Sequence, residues 1–255
     1  MTLPLSFFLL SAVAIFLTGL SKSGFGGGLG VLSVPLMSLF VAPQFAVAVL
    51  MPLLIATDII VAWQYRHRWD AAVVRTLLPG ALVGLAIGLA TFRWMDAQTI
   101  RLAVGVLAIS FVAQYLLSRN GSTEKPQHSQ SAAFLMATTS GFASYVAHAG
   151  GPPVKGYLLS QRMDKSLFVG TNTMFFFSMN ALKSVSYAAM GQLSLESLVV
   201  SAAISPVLLL GIAVGTLLHR HIDQRRFTAL VYGFLALAGG KLLFDSLIML
   251  LSHPH

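Results

Sequence analysis

The sequence predicts an all-α integral membrane protein: two inverted repeats of about five hydrophobic segments each, with broken or re-entrant helices at glycine-rich motifs. Three observations predict it. Of 255 residues, 56% are hydrophobic and only 9% charged, against about 25% charged in a soluble domain. Ten apolar segments can be drawn, five in each half. One glycine-rich break interrupts each half, Ser21-Lys22-Ser23-Gly24-Phe25-Gly26-Gly27-Gly28-Leu29-Gly30 and Ala147-His148-Ala149-Gly150-Gly151-Pro152-Pro153-Val154-Lys155. Glycine and proline free backbone N–H and C=O groups that lipid cannot satisfy, so such breaks belong where protein buries them or where they line a cavity. Broken segments at matching places in two halves point to a binding site.

The segments are justified in order. Residues 4–20 are apolar, with no basic residue before them and no clear small-residue cleavage site, so they read as a retained span rather than a secretory signal. Residues 29–41 are too short to cross comfortably and read as a half-helix joined to the first segment across the glycine break. Residues 45–65, 71–91 and 99–117 each come near the ~20 residues that a span needs. Residues 118–130, with Asn120-Gly121 and Pro126, read as loop. The second half repeats the order: 131–149, a short 152–160, then 168–190, 195–218 and 227–251. The expected organisation is a first membrane repeat (1–117), a cytoplasmic linker (118–130) and a second membrane repeat (131–255).

An offset of 122 residues places Gly19 on Gly141, Gly28 on Gly150 and Asp58 on Asn180. An offset of 127 places Pro79, Gly84, Gly88 and Asp96 on Pro206, Gly211, Gly215 and Asp223. Loop charge then orients the halves. Arg66, His67, Arg68 and Arg75 flank one loop whose repeat mate holds only Glu196. The neutral Ala42-Pro43-Gln44 has a mate carrying Arg162 and Lys165. Basic residues mark cytoplasmic loops, so the halves run antiparallel and both termini lie outside. The linker (Arg119, Lys125) and the loop with Arg220, Arg225 and Arg226 then fall inside, and Arg93 and Arg101 are the outside exceptions. The net charge of +8 is this loop bias rather than a nucleic-acid surface. The absence of cysteine excludes disulfides, thiolate metal sites and cysteine nucleophiles. No H-E-x-x-H, G-x-S-x-G or Walker lysine loop is present, so the expectation is a non-enzyme without a cofactor.

Charges within spans are costly and by default functional. Here they are Lys22, Asp58, Lys155, Lys183, Lys241 and Asp245. Lys22 and Lys155 sit in the breaks, where a half-helix start and a lysine together make an anion site; Lys22 also suits a snorkelling helix end. Asn180 and Lys183 are i,i+3 neighbours, and Asn172 lies on nearly the same face, with Thr171 beside it; interhelical hydrogen bonding by Asn and Thr is the competing reading. Asp58 pairs with a lysine, tunes its charge or carries a proton. His148 donates to an anion, carries a proton or is structural. Lys241 and Asp245, i,i+4, read as a local ion pair. Gly84, Gly88, Gly211 and Gly215 form G-x-x-x-G pairs for close packing.

Ser23-Gly24-Phe25-Gly26-Gly27-Gly28 with Val34-Pro35-Leu36 resembles the N-terminal glycine motif of the TauE/SafE (TSUP) sulfite exporter family. The run from His148-Ala149-Gly150-Gly151-Pro152-Pro153 through Phe168-Val169-Gly170-Thr171-Asn172 to Asn180-Ala181-Leu182-Lys183 resembles its second motif. The likeness spans residues 5–250. It implies export of sulfite, or of an organosulfonate such as sulfoacetate, across a bacterial inner membrane; an anion channel or an importer of small carboxylates is the alternative. The partners expected are a small anion and the lipid bilayer. The expected binding residues are Lys22, Gly26, Gly27, Gly28, His148, Gly150, Gly151, Lys155, Thr171, Asn172, Asn180 and Lys183, with Asp58 beside them. Since an anion leaving a negative interior gains about 2.3 kcal/mol per charge per 100 mV, the expectation is electrogenic export without a coupled ion.

Overall fold

The computed structural model describes residues 4–25, 30–119, 129–218 and 224–252. Among these residues all regular structure is helical: α1 (Leu5–Phe25), a 3-10 turn (Gly30–Leu32), α2 (Ser33–Met37), α3 (Pro43–Gln64), α4 (Ala71–Trp94), α5 (Ala97–Arg119), α6 (Gln130–Ala147), α7 (Gly151–Ser160), α8 (Lys165–Ala189), α9 (Leu195–Leu218) and α10 (Gln224–Ser252). Local chemistry sets the ends. Pro43 opens α3 at a position whose N–H has no helical acceptor. The carboxylates of Asp70 and Asp164 cap α4 and α8, each accepting from two backbone N–H groups. The short segment expected at 29–41 is broken further, into the 3-10 turn and the five-residue α2.

Six helices, α1, α3, α4, α5, α9 and α10, are long and apolar enough to cross a membrane. Helix α8, expected as a span, has the length but carries Thr171, Asn172, Thr173, Asn180 and Lys183, all buried. Protein rather than lipid surrounds those groups, which is where intramembrane polar residues are tolerated. Leu82, Leu209, Leu237 and Phe244 point outward, as a lipid-facing surface requires. Trp63 and Trp69 flank the α3–α4 turn and Trp94 ends α4, all exposed, at the levels where indoles favour a membrane interface. Helix α7 has ten residues, about 15 Å, or half the hydrocarbon core.

The strongest packing joins α4 to α6 and α1 to α9; α5 lies along α10, and α3 along α8. Glycine makes the first two contacts possible. A methyl group added at Gly84 would overlap the Thr138 carbonyl, and one at Gly211 would overlap the Phe16 carbonyl. Thr138 and Phe16 are themselves 122 residues apart. In return, a methyl at Gly141 would strike the Ala81 carbonyl and one at Gly19 would come within 2.7 Å of the Leu208 carbonyl. Ala81 and Leu208 are 127 apart. The G-x-x-x-G pairs thus lie in close-packed seams, as expected: Gly84 and Gly211 meet backbone, Gly88 the Tyr145 side chain, and Gly215 the Ser23 hydroxyl and the Leu20 carbonyl.

Candidate functional site

Three helices bring charge to one buried point. Lys22 comes from the last turn of α1, Asp58 from α3, and Asn180 and Lys183 from successive turns of α8. The Lys22 ammonium donates to one oxygen of Asp58 in a short ion pair. The other oxygen accepts from Asn180 Nδ2 at 2.6 Å. Asp58 and Asn180, repeat mates in the sequence, therefore face one another directly. Asp58 is 1% exposed, and a carboxylate buried this deeply needs a cation and donors around it.

Lys183 is also 1% exposed. Its Nζ contacts the Ser144 carbonyl, Ser144 Oγ and His148 Nδ1, each at 2.9 Å. All three partners are neutral, and among the described residues no carboxylate pairs with it. The His148 tautomer follows from its other contact. Nε2 lies 2.9 Å from the Val47 carbonyl, which can only accept, so Nε2 carries the proton and Nδ1 presents its lone pair to Lys183. His148 ends α6 with φ of 49°, in the left-handed region, and that backbone aims the ring back at α8.

These groups border a cavity of about 30 Å³, lined by Lys22, Gly30, Val31, Leu54, Ser144, His148, Gly151, Phe176, Asn180 and Lys183. It has room for one or two waters. Both breaks reach it, Lys22 and Gly30 from the first and His148 and Gly151 from the second. Because Pro152 and Pro153 lack an N–H, the start of α7 offers fewer backbone donors than a glycine-only start would.

Of the expected residues, Lys22, His148, Gly151, Asn180 and Lys183 line the cavity. Gly26, Gly27 and Gly28 lie outside the described residues. Gly150 has a packing role: its carbonyl accepts from Ser140 Oγ at 2.6 Å, and a methyl there would press on the Ser140 backbone. Lys155 stands one turn past Gly151, partly buried, and is not in the lining. Thr171 and Asn172 sit near the start of α8, about 12 Å of helix from Asn180. There the Thr171 hydroxyl accepts from the Asp70 backbone N–H at 2.9 Å and ties α8 to the α3–α4 turn. Lys241 and Asp245 form the expected exposed local pair at 3.0 Å. Ser144, which supplies two of the three partners of Lys183, was missed; its place four residues before His148, on the same face of α6, was the signal available.

A second, larger cleft of about 750 Å³ opens between the ends of α4 and α8, bordered by Arg93, Trp94, Ser186 and Met190. Phe92, Tyr145 and Tyr187 form a ring cluster that contacts a residue of each: Ser186 of the cleft and His148 of the charged cavity. Their ring centroids are 5.1 to 6.1 Å apart, and the Tyr187 ring is 6.1 Å from that of His148. Tyr145 OH lies 3.2 Å from Ser186 Oγ, and Tyr187 OH donates to the Tyr145 carbonyl.

A bundle with six helices long and apolar enough to cross a membrane, and with charged groups gathered at one buried point, has the general form of a membrane transporter. The chain belongs to the TauE/SafE sulfite exporter family, whose family model matches residues 11–242. Membership makes it one of a family of membrane transporters of sulfur anions such as sulfite. No curated protein and no solved structure matches the chain at a significant level.

Proposed function

We propose that the protein exports a small anion, sulfite or an organosulfonate, across the bacterial inner membrane, and that the anion binds beside Lys183 in the cavity between the two breaks. The observation that carries this is the setting of Lys183: a buried amine with three neutral partners and no carboxylate. An ammonium there lacks a counterion, and an anion supplies one. Lys22, Asn180 and Gly151 border the same space and add donors. The smallness of the cavity supports a carrier that opens and closes over a continuous pore. The test is thermal stability of the purified protein against sulfite, methanesulfonate, sulfoacetate, acetate and chloride. A ligand at one hundred times its Kd stabilises by about 2.7 kcal/mol. Sulfite or a sulfonate should stabilise well above chloride. Equal effects from all five anions, or none, would remove the reading.

The two halves are, on this proposal, inverted repeats about an axis in the membrane plane, with both termini outside. Reciprocal packing supports it. Helix α1 meets α9 as α6 meets α4, and the glycine contacts correspond residue by residue under the two offsets. Single cysteines placed on this cysteine-free background should label from the cytoplasm at Arg68 and Arg162 and from outside at Arg93 and both termini. Termini that label from opposite faces would refute the arrangement.

A further inference from the structure

The charge at the cavity can be summed from its contacts. Among the described residues, the ionisable groups facing Lys183 are few. From α1 comes Lys22 and from α3 comes Asp58, and these two cancel in their ion pair. From α6 come His148, neutral because Nε2 donates to Val47 and Nδ1 faces Lys183, and Tyr145, whose hydroxyl bonds Ser186. From α8 itself comes Tyr187, whose hydroxyl donates to a carbonyl. Helix α7 presents Gly151, and α4 presents Phe92 to the two tyrosines; neither titrates. The charge of the site is therefore the charge of Lys183 alone.

The three contacts of Lys183 suit two protonation states equally. An ammonium donates three N–H bonds, to the Ser144 carbonyl, Ser144 Oγ and His148 Nδ1. A neutral amine donates two, to the carbonyl and to Nδ1, and its lone pair accepts from the Ser144 hydroxyl, which is free to turn. No other atom has to move. An uncompensated ammonium this deeply buried is strongly disfavoured in a site without an anion, whereas the neutral amine leaves every polar group satisfied.

We propose that Lys183 is a proton site linked to anion binding: empty, it is the neutral amine, and a monovalent anion enters together with one proton taken from water. The Nζ lone pair forms the new N–H bond, the Ser144 hydroxyl turns from donor to acceptor, and ammonium and anion neutralise one another. Both the empty and the loaded carrier then present an uncharged cavity to the membrane interior. This rests on the reading of the cavity as the anion site, and it replaces the expectation of electrogenic export without a coupled ion: anion and proton move together. Within the anions of the proposed function it favours those that carry one charge, hydrogen sulfite and simple monosulfonates, over dianions such as sulfoacetate, since one lysine balances one charge.

Methanesulfonate is the suitable probe, because it remains a monoanion throughout the accessible pH range and releases no proton of its own. In weakly buffered detergent solution with a pH-indicating dye, its binding should draw protons from solution, up to one per anion, and its Kd should rise with pH wherever that uptake is seen, by at most about tenfold per pH unit. Sulfate, a dianion, should bind at least ten times more weakly. In Lys183→Arg the guanidinium stays protonated, so whatever binding that variant retains should draw no proton. Methanesulfonate binding by the unaltered protein without proton uptake overturns the proposal. So does uptake that survives in Lys183→Arg, or sulfate binding as tight as methanesulfonate. If neither anion binds the unaltered protein, the reading of the cavity itself fails, and this proposal with it.

Discussion

Lys183→Met should abolish anion-dependent stabilisation while leaving the protein folded. Methionine is close to lysine in length and volume, so the core around α6 and α8 keeps its packing. What disappears is a fully buried amine that has no carboxylate partner among the described residues. Removing one member of a desolvated, hydrogen-bonded charge pair typically costs about 2–5 kcal/mol, and 1.4 kcal/mol is about tenfold, so affinity for the stabilising anion should fall roughly thirty-fold or more. The Ser144 and His148 acceptors left behind should lower the melting temperature modestly. Lys241→Met is the control. Its ion pair with Asp245 is exposed and local, worth at most about 0.5 kcal/mol, and anion affinity should not change. Thermal shift and equilibrium binding on the two variants decide the matter: normal anion affinity in Lys183→Met would take this residue out of the site.

The second large effect lies in the helix seams. In a helix interior, alanine is ordinarily better than glycine by about 0.5–1 kcal/mol. At Gly233, where nothing lies within 4 Å of an added methyl, Gly233→Ala should therefore hold or slightly raise the melting temperature. Gly84→Ala should do the reverse, because the methyl meets the Thr138 backbone, which cannot swing aside as a flexible side chain would. Overpacking of this kind costs about 1–3 kcal/mol, or roughly 2–12 °C for a chain of this size. Gly211→Ala, which meets the corresponding carbonyl of Phe16, should lose a comparable amount. Melting curves in one detergent compare all three. A Gly84→Ala protein as stable as Gly233→Ala would mean that the α4–α6 seam is looser than described.

Much of this arrangement was legible beforehand, and for different physical reasons. Asp58, Asn180 and Lys183 stood out because a polar or charged group in an apolar span needs partners. The glycine seams were legible because a missing side chain is visible at matching offsets in both halves. Depth was harder to read. Helical spacing puts Asn172 and Lys183 on nearly one face, but eleven residues also separate them by about 16 Å along the axis, so Thr171 ties to the α3–α4 turn instead and Asn172 stands outside the cavity lining. Lys155 follows the second break closely in sequence, yet one turn of α7 carries it past the cavity lining. Ser144 gave little warning, since serine is common and inexpensive in membrane helices, and only its contact with Lys183 sets it apart.

The backbone at His148 has a consequence of its own. A helix that ends in a left-handed residue favours glycine there, and this chain has glycines available two and three positions later, at Gly150 and Gly151. It places histidine at the strained position instead. Among residues with a side chain, histidine is one of those that tolerate this region best, and the strain fixes the ring so that one nitrogen meets Val47 and the other Lys183. Conformational ease and function thus pull in opposite directions at a single residue. Glycine would relax the turn and remove a ring that links α6, α3 and α8. An engineer seeking a sturdier protein would change this position early, and a carrier that must hold a buried amine in place is the reason to leave it alone.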